Sequence, residues 1–119
     1  MCHRFLSPHE RRALVANGIS AAGRRQPDFA PVIRLWLPTS PLSWLLTHTL
    51  PANDDLAYGL AVQHGDKPVF ELGHWSLSAF ESFAQGGPET CLRASSVFLV
   101  QAPLSAYIRA LIRKKAWGY

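Results

Sequence analysis

From Pro103 onward the apolar residues keep to one helical face, with Leu104, Tyr107, Ile108, Leu111 and Ile112 at i, i+3, i+4, i+7 and i+8. This is the clearest periodicity in the chain and predicts an amphipathic C-terminal helix opened by Pro103. A second helix is predicted over 8–17. Ser7-Pro8-His9-Glu10 has the form of a capping box with proline at the first helical position, and Asn17-Gly18 has the form of a stop. Leu6 would face Arg11 instead of forming a hydrophobic staple, so this helix is expected to rely on packing Phe5, Ala13 and Leu14 elsewhere. A short middle helix is predicted after Ser76, with a second capping box from Ser78 to Glu81 and an end at Gly86-Gly87-Pro88.

Between these helices the period changes to two. In 31–37, Ile33, Leu35 and Leu37 fall on one strand face and Val32, Arg34 and Trp36 on the other. In 43–50, Trp44, Leu46, His48 and Leu50 alternate with Leu45, Thr47 and Thr49. In 55–63, Leu56, Tyr58, Leu60 and Val62 share a face, while Ala57, Gly59 and Ala61 leave the other smooth enough for a helix to approach closely. A turn at 64–67 leads into a run over 69–75, and 96–101 is a candidate fifth strand. Residues 19–30, with Gly23, Arg24, Arg25 and Pro27, keep no period and read as a loop and the expected flexible arm.

These elements predict an α+β fold: an antiparallel four- to five-stranded meander sheet with a short N-terminal helix, a short middle helix and the amphipathic C-terminal helix. Helices are expected over one face, with Trp36 and Trp44 on the other, under the long loop or exposed. The chain has 119 residues, room for a single domain over 1–119. Its 48% hydrophobic and 17% charged residues are those of a globule, not of a disordered chain. No apolar run is long enough to cross a bilayer and the first residues lack a signal peptide's apolar centre, so no membrane association and a cytoplasmic location are expected. Cys2 and Cys91 are expected to be free thiols.

Charge divides the chain into three. Up to Arg34 there are six Arg against Glu10 and Asp28. From Leu35 to Thr90 Lys67 stands alone against six carboxylates, and from Cys91 onward there are five basic residues and no acid. Basic ends around an acidic middle suit an acidic protein or a nucleic acid as partner. They equally suit solubility and helix-end electrostatics.

Six strings occur in the order and at the spacing of a known family. They are Leu6-Ser7-Pro8-His9-Glu10-Arg11-Arg12 with Asn17-Gly18, Pro31-Val32-Ile33-Arg34-Leu35, Ser43-Trp44-Leu45-Leu46-Thr47, Ala57-Tyr58-Gly59-Leu60, Glu71-Leu72-Gly73-His74-Trp75-Ser76-Leu77, and Pro103-Leu104-Ser105-Ala106-Tyr107. On these strings the chain resembles domain-of-unknown-function family twenty-nine fifty-eight, small proteins of bacterial plasmids, phages and integrative elements. The family pattern places acidic residues where this chain has His48 and the Val62-Gln63 pair, leaving Glu71 alone of three. A carboxylate-dependent metal or acid–base site would not survive that loss. Elements of this kind also carry small proteins that blunt host defence, inhibitors of CRISPR effector complexes among them, so the resemblance favours a stoichiometric binder.

The polar residues add no catalytic pattern. No Cys-x-x-Cys, His-Glu-x-x-His or EF-hand spacing appears, so neither a metal nor a cofactor is expected; convergence of His48, His64 and His74 across strands is the one arrangement that would change this. Cys91 has Arg93 nearby but no positioned base, and Glu71 with His74 is the remaining acid–base pair to consider. The basic tail of Arg109, Arg113, Lys114 and Lys115 stabilises a helix end by about 0.3–1 kcal/mol per cation at low salt without any ligand. With Trp117 and Tyr119 beyond it, the tail also has the makings of a single-strand nucleic-acid contact. The expectation is therefore a non-catalytic protein that binds a host protein or ribonucleoprotein complex through Arg34, Trp36, Arg109, Arg113, Lys114 and Lys115, with nucleic-acid binding through the same basic ends as the alternative.

Overall fold

The computed structural model describes residues 6–23, 28–66, 68–84, 92–98 and 101–112. In chain order the elements are α1 (Pro8–Ala21), β1 (Ile33–Trp36), β2 (Leu42–Leu50), β3 (Asn53–Gln63), β4 (Val69–Ser76), α2 (Leu77–Ala84), β5 (Arg93–Ser95) and α3 (Leu104–Ile112). The Ser7 box forms reciprocally: Glu10 N donates to Ser7 Oγ at 3.1 Å and Ser7 N donates to Glu10 Oε1 at 2.9 Å. Asn17-Gly18 is not the stop. The helix runs four residues further than 8–17 because tertiary contacts replace the local ending. Gly18 is buried against β2, Asn17 Nδ2 donates to the Thr47 carbonyl at 2.9 Å, and Leu14, one turn earlier on the same face, is fully buried.

β1 to β4 form the expected meander, and β5 adds to the free edge of β1, giving the order β4-β3-β2-β1-β5 with every pair antiparallel. The fifth strand is not 96–101. Pairing ends at Ser95 opposite Arg34, where Val97 N turns back to Ser95 Oγ at 3.1 Å; continuing the ladder would set residue 98 against Pro31, which has no N–H to donate. Residues 99–100 and the Gly86-Gly87-Pro88 ending lie outside the described residues, as do 24–27 of the expected loop.

Helices cover both faces of the sheet, not one. Ile33, Leu35, Leu46 and Ala57 pack with Leu14 of α1 and with Leu77 and Phe80 of α2. The next residue along β2, Leu45, joins Leu60 and Val62 against Leu104, Tyr107 and Leu111 of α3. An amphipathic helix with that stripe needs an apolar surface, and the alternation of β2 and β3 supplies one. Trp44 accordingly lies beneath α2, its ring edge-on to Phe80 at 5.1 Å, while Trp36 lies on the α3 side.

The alternation of β2 breaks at Thr47. Leu46 pairs with Gly59 but His48 pairs with Tyr58, so Thr47 is the extra residue of a bulge and His48 moves to the face of Leu45. On the smooth face of β3, Ala57 packs against the helices, whereas at Gly59 it is the β2 backbone that comes close: a Cβ there would lie 2.0 Å from the Leu45 carbonyl oxygen. Among the described residues no helix is long and apolar enough to cross a membrane.

Candidate functional site

Arg34 and Trp36 share a face of β1 by the period of two, and the Arg34 Cζ stands 4.2 Å from the centre of the Trp36 ring. Both are half-buried. Register builds a polar patch around them. Ser43 of β2 pairs with Trp36 on one side, and Arg93 of β5, exposed, pairs with it on the other. Ser43 Oγ hydrogen-bonds His64 Nε2 at 2.8 Å. Burial first and the Arg34 charge second push the His64 imidazole below the ordinary histidine range. The roles of Ser43, His64 and Arg93 here come from sheet pairing, and no local motif marks them.

Arg109 projects from α3, exposed, with its Nη1 3.4 Å from Ser105 Oγ. Since α3 packs on the sheet face that bears Arg34 and Trp36, the three expected contact residues among those described lie on one side of the sheet. Arg113, Lys114 and Lys115 lie outside the described residues.

The histidines converge only in part. Tyr58 stands between His48 and His74, its ring centroid 5.1 Å from each, whereas His64 is engaged with Ser43. Phe29 packs edge-on with His48, ring centroids 5.6 Å apart. Thr47 Oγ1 lies 2.9 Å from His48 Nδ1 and 3.3 Å from the Tyr58 carbonyl oxygen; with the imidazole proton on Nδ1, the hydroxyl accepts from the ring and donates to the carbonyl. Burial, then the charge of His74, holds His48 below its ordinary pKa. No group of three potential metal ligands forms among the described residues.

The carboxylates with tertiary bonds cap helices. Asp55 of β3 accepts from Ser78 N at 3.0 Å, from Ser78 Oγ at 2.6 Å and from Ser76 Oγ at 2.7 Å, while Ser76 Oγ accepts from Ala79 N. The expected box from Ser78 to Glu81 does not form, because Asp55 takes both Ser78 donors. These bonds, led by those from the Ser78 and Ser76 hydroxyls, hold the Asp55 carboxyl below the usual range. Asp28 plays the same part for α3, accepting from Ser105 N at 3.0 Å and from Ser105 Oγ. Glu71 and His74 pair with Ala61 and Tyr58, three positions apart on β4, so they point to opposite faces of the sheet.

The family model described as Protein of unknown function (DUF2958) matches residues 5–116. The chain belongs to the DUF2958 family. Comparison with curated proteins and with solved structures gives no match. In this DUF2958 chain the recognised strings fall at structural joints. Ser7 to Glu10 forms the α1 cap, Gly18 meets β2, the Ser43 to Thr47 string ends in the bulge, Gly59 lies opposite it, and Pro103 to Tyr107 opens α3.

Proposed function

We propose that this protein is a non-catalytic accessory protein of a mobile genetic element, which binds a host protein or ribonucleoprotein complex in the cytoplasm and inhibits or modulates it, a CRISPR-type defence effector being one such target. The observation that carries the reading is the Arg34–Trp36 pair. A guanidinium lies over a half-buried indole on the face shared with Arg109, and Arg93 stands directly across from the indole. Trp and Arg in such contact are the residues that dominate binding once water is excluded. The opposed directions of Glu71 and His74 further support binding over acid–base chemistry, which needs both groups at one reacting atom. The mobile-element setting rests on the family resemblance. Contact is assigned to Arg34, Trp36 and Arg109, continued by Arg113, Lys114 and Lys115. Quantitative capture from host cells tests this: the wild-type protein should enrich a complex that an Arg34→Glu/Trp36→Ser variant of unchanged melting temperature does not. Identical recovery by both proteins would refute it.

Nucleic acid is the second reading, favoured by Arg93 and Arg34 around Trp36, since guanidinium planes and indoles are surfaces on which unpaired bases stack. It requires log affinity for single-stranded DNA or RNA to fall linearly with log salt. Absence of binding at low salt excludes it.

A further inference from the structure

A second surface lies away from the Arg34–Trp36 patch. Between α3 and the β3–β4 side of the sheet is a half-open cleft of about 320 Å³, lined by Phe29, Tyr58, Leu72, Leu104 and Ile108 with the Asp28 carboxylate among them. That volume is at the small end of ligand sites. Leu72 remains 45% exposed on the rim, so the apolar wall is open to an incoming molecule.

Two features of the cleft point to one charge of ligand. Asp28 is held in place by Ser105 N and Ser105 Oγ, and among the described residues it has no ion-pair partner. Each of its oxygens accepts one bond and keeps a further lone pair for a donor. Aromatic rings line the same space, and their faces attract cations as the carboxylate does. The nearest described cation on α3, Arg109, reaches Ser105 Oγ and not the carboxylate. Burial, then the charge of His74, holds His48, which stacks on Tyr58, below its ordinary pKa.

We infer that this cleft binds a small primary amine, with the ammonium on Asp28 and an apolar, preferably aromatic, body between Phe29, Tyr58, Leu72 and Ile108. The cleft lining includes neither Arg34 nor Trp36, while Arg109, assigned above to the partner surface, borders it through Ser105. The test uses 2-phenylethylammonium as probe and 3-phenylpropionate as its charge-reversed counterpart, with ring and amide NMR shifts as readout. The amine should give saturable shifts at Phe29, Tyr58 and His48, and the carboxylate none. Asp28→Asn keeps an oxygen for Ser105 N but loses the charge, and should weaken the amine about tenfold or more. Arg109→Gln removes the neighbouring cation and should tighten binding. Ile108→Trp fills the cleft without touching Asp28 and should abolish it. Equal binding of the carboxylate, unchanged affinity in both Asp28→Asn and Ile108→Trp, or no saturable shifts with the amine would each overturn the assignment. Tighter binding of Nα-acetyl-lysine amide than of 2-phenylethylammonium would assign the cleft to a partner's side chain and overturn the small-molecule reading.

Discussion

Gly18 of α1 and Thr49 of β2 meet backbone to backbone: a Cβ on Gly18 would lie 1.9 Å from the Thr49 carbonyl oxygen. Such an atom cannot be accommodated by a side-chain rotation, because the obstacle is the strand itself. Gly18→Ala would therefore push α1 off the sheet. The overpacking cost, about 1–3 kcal/mol and more where backbone blocks the way, outweighs the about 1 kcal/mol that alanine gains over glycine inside a helix. Urea unfolding should show a lower midpoint; an unchanged or higher midpoint would mean that the helix does not sit this close.

Thr47 is the residue whose hydroxyl holds the bulge, hydrogen-bonded to His48 Nδ1 and to the Tyr58 carbonyl while almost fully buried. Thr47→Val keeps the shape and removes both bonds, leaving buried groups without partners at a cost of about 1–3 kcal/mol. Thr47→Ser should retain most of the stability. In wild type the ¹⁵N spectrum of His48 should show the proton on Nδ1, and in Thr47→Val that preference should weaken.

Asp55 joins β3 to the start of α2 through Ser76 and Ser78. Its carboxyl is depressed below the usual range, chiefly by the Ser78 hydroxyl and then by Ser76. The stability it contributes is thus present above the unfolded carboxyl pKa of about 3.9 and lost as pH falls through the lower folded value. Asp55→Ala should lower the melting temperature at neutral pH more than Asp54→Ala does, and the difference between the two variants should vanish in strong acid. Equal melting temperatures at neutral pH would count against the cap.

His48 and His64 are both held below the ordinary range, by burial first and then by His74 and Arg34 respectively. The unfolded chain therefore takes up protons near pH 6.5 before the folded chain does. Their contribution to stability is complete above that pH, declines as pH drops below it, and is fully lost once pH passes the folded values. Unfolding free energy should fall as pH drops below the unfolded histidine value of about 6.5, and His48→Asn should flatten that slope. A slope unchanged in both His48→Asn and His64→Asn would show that neither imidazole carries it.

What could be read from the chain, and what could not, follows from the range of the forces involved. The Ser7–Glu10 box and the stripe of Leu104, Tyr107 and Leu111 depend on neighbours within two turns, and both appear as expected. Arg34 and Trp36 are two residues apart on a strand, so their contact follows from the period. The exceptions all depend on distant partners. Gly18 reads locally as a helix stop but is a contact point for Thr49. Ser78 reads as a cap but is claimed by Asp55 from another strand. Apolar residues on both sides of Thr47 hide the bulge that turns His48 over, and β5 is too short to leave a pattern. The patch around Trp36 was half legible for the same reason: Ser43, His64 and Arg93 reach it only through sheet register and turn closure.

The claim that this protein acts by occupying a surface is tested most directly by titrating it into the complex that the wild type captures and the Arg34→Glu/Trp36→Ser variant does not. The response should saturate at a fixed ratio of about one molecule per target, with the mass of every target component unchanged. An effect that persists far below that ratio, with a covalently altered target, would mean turnover and contradict the account.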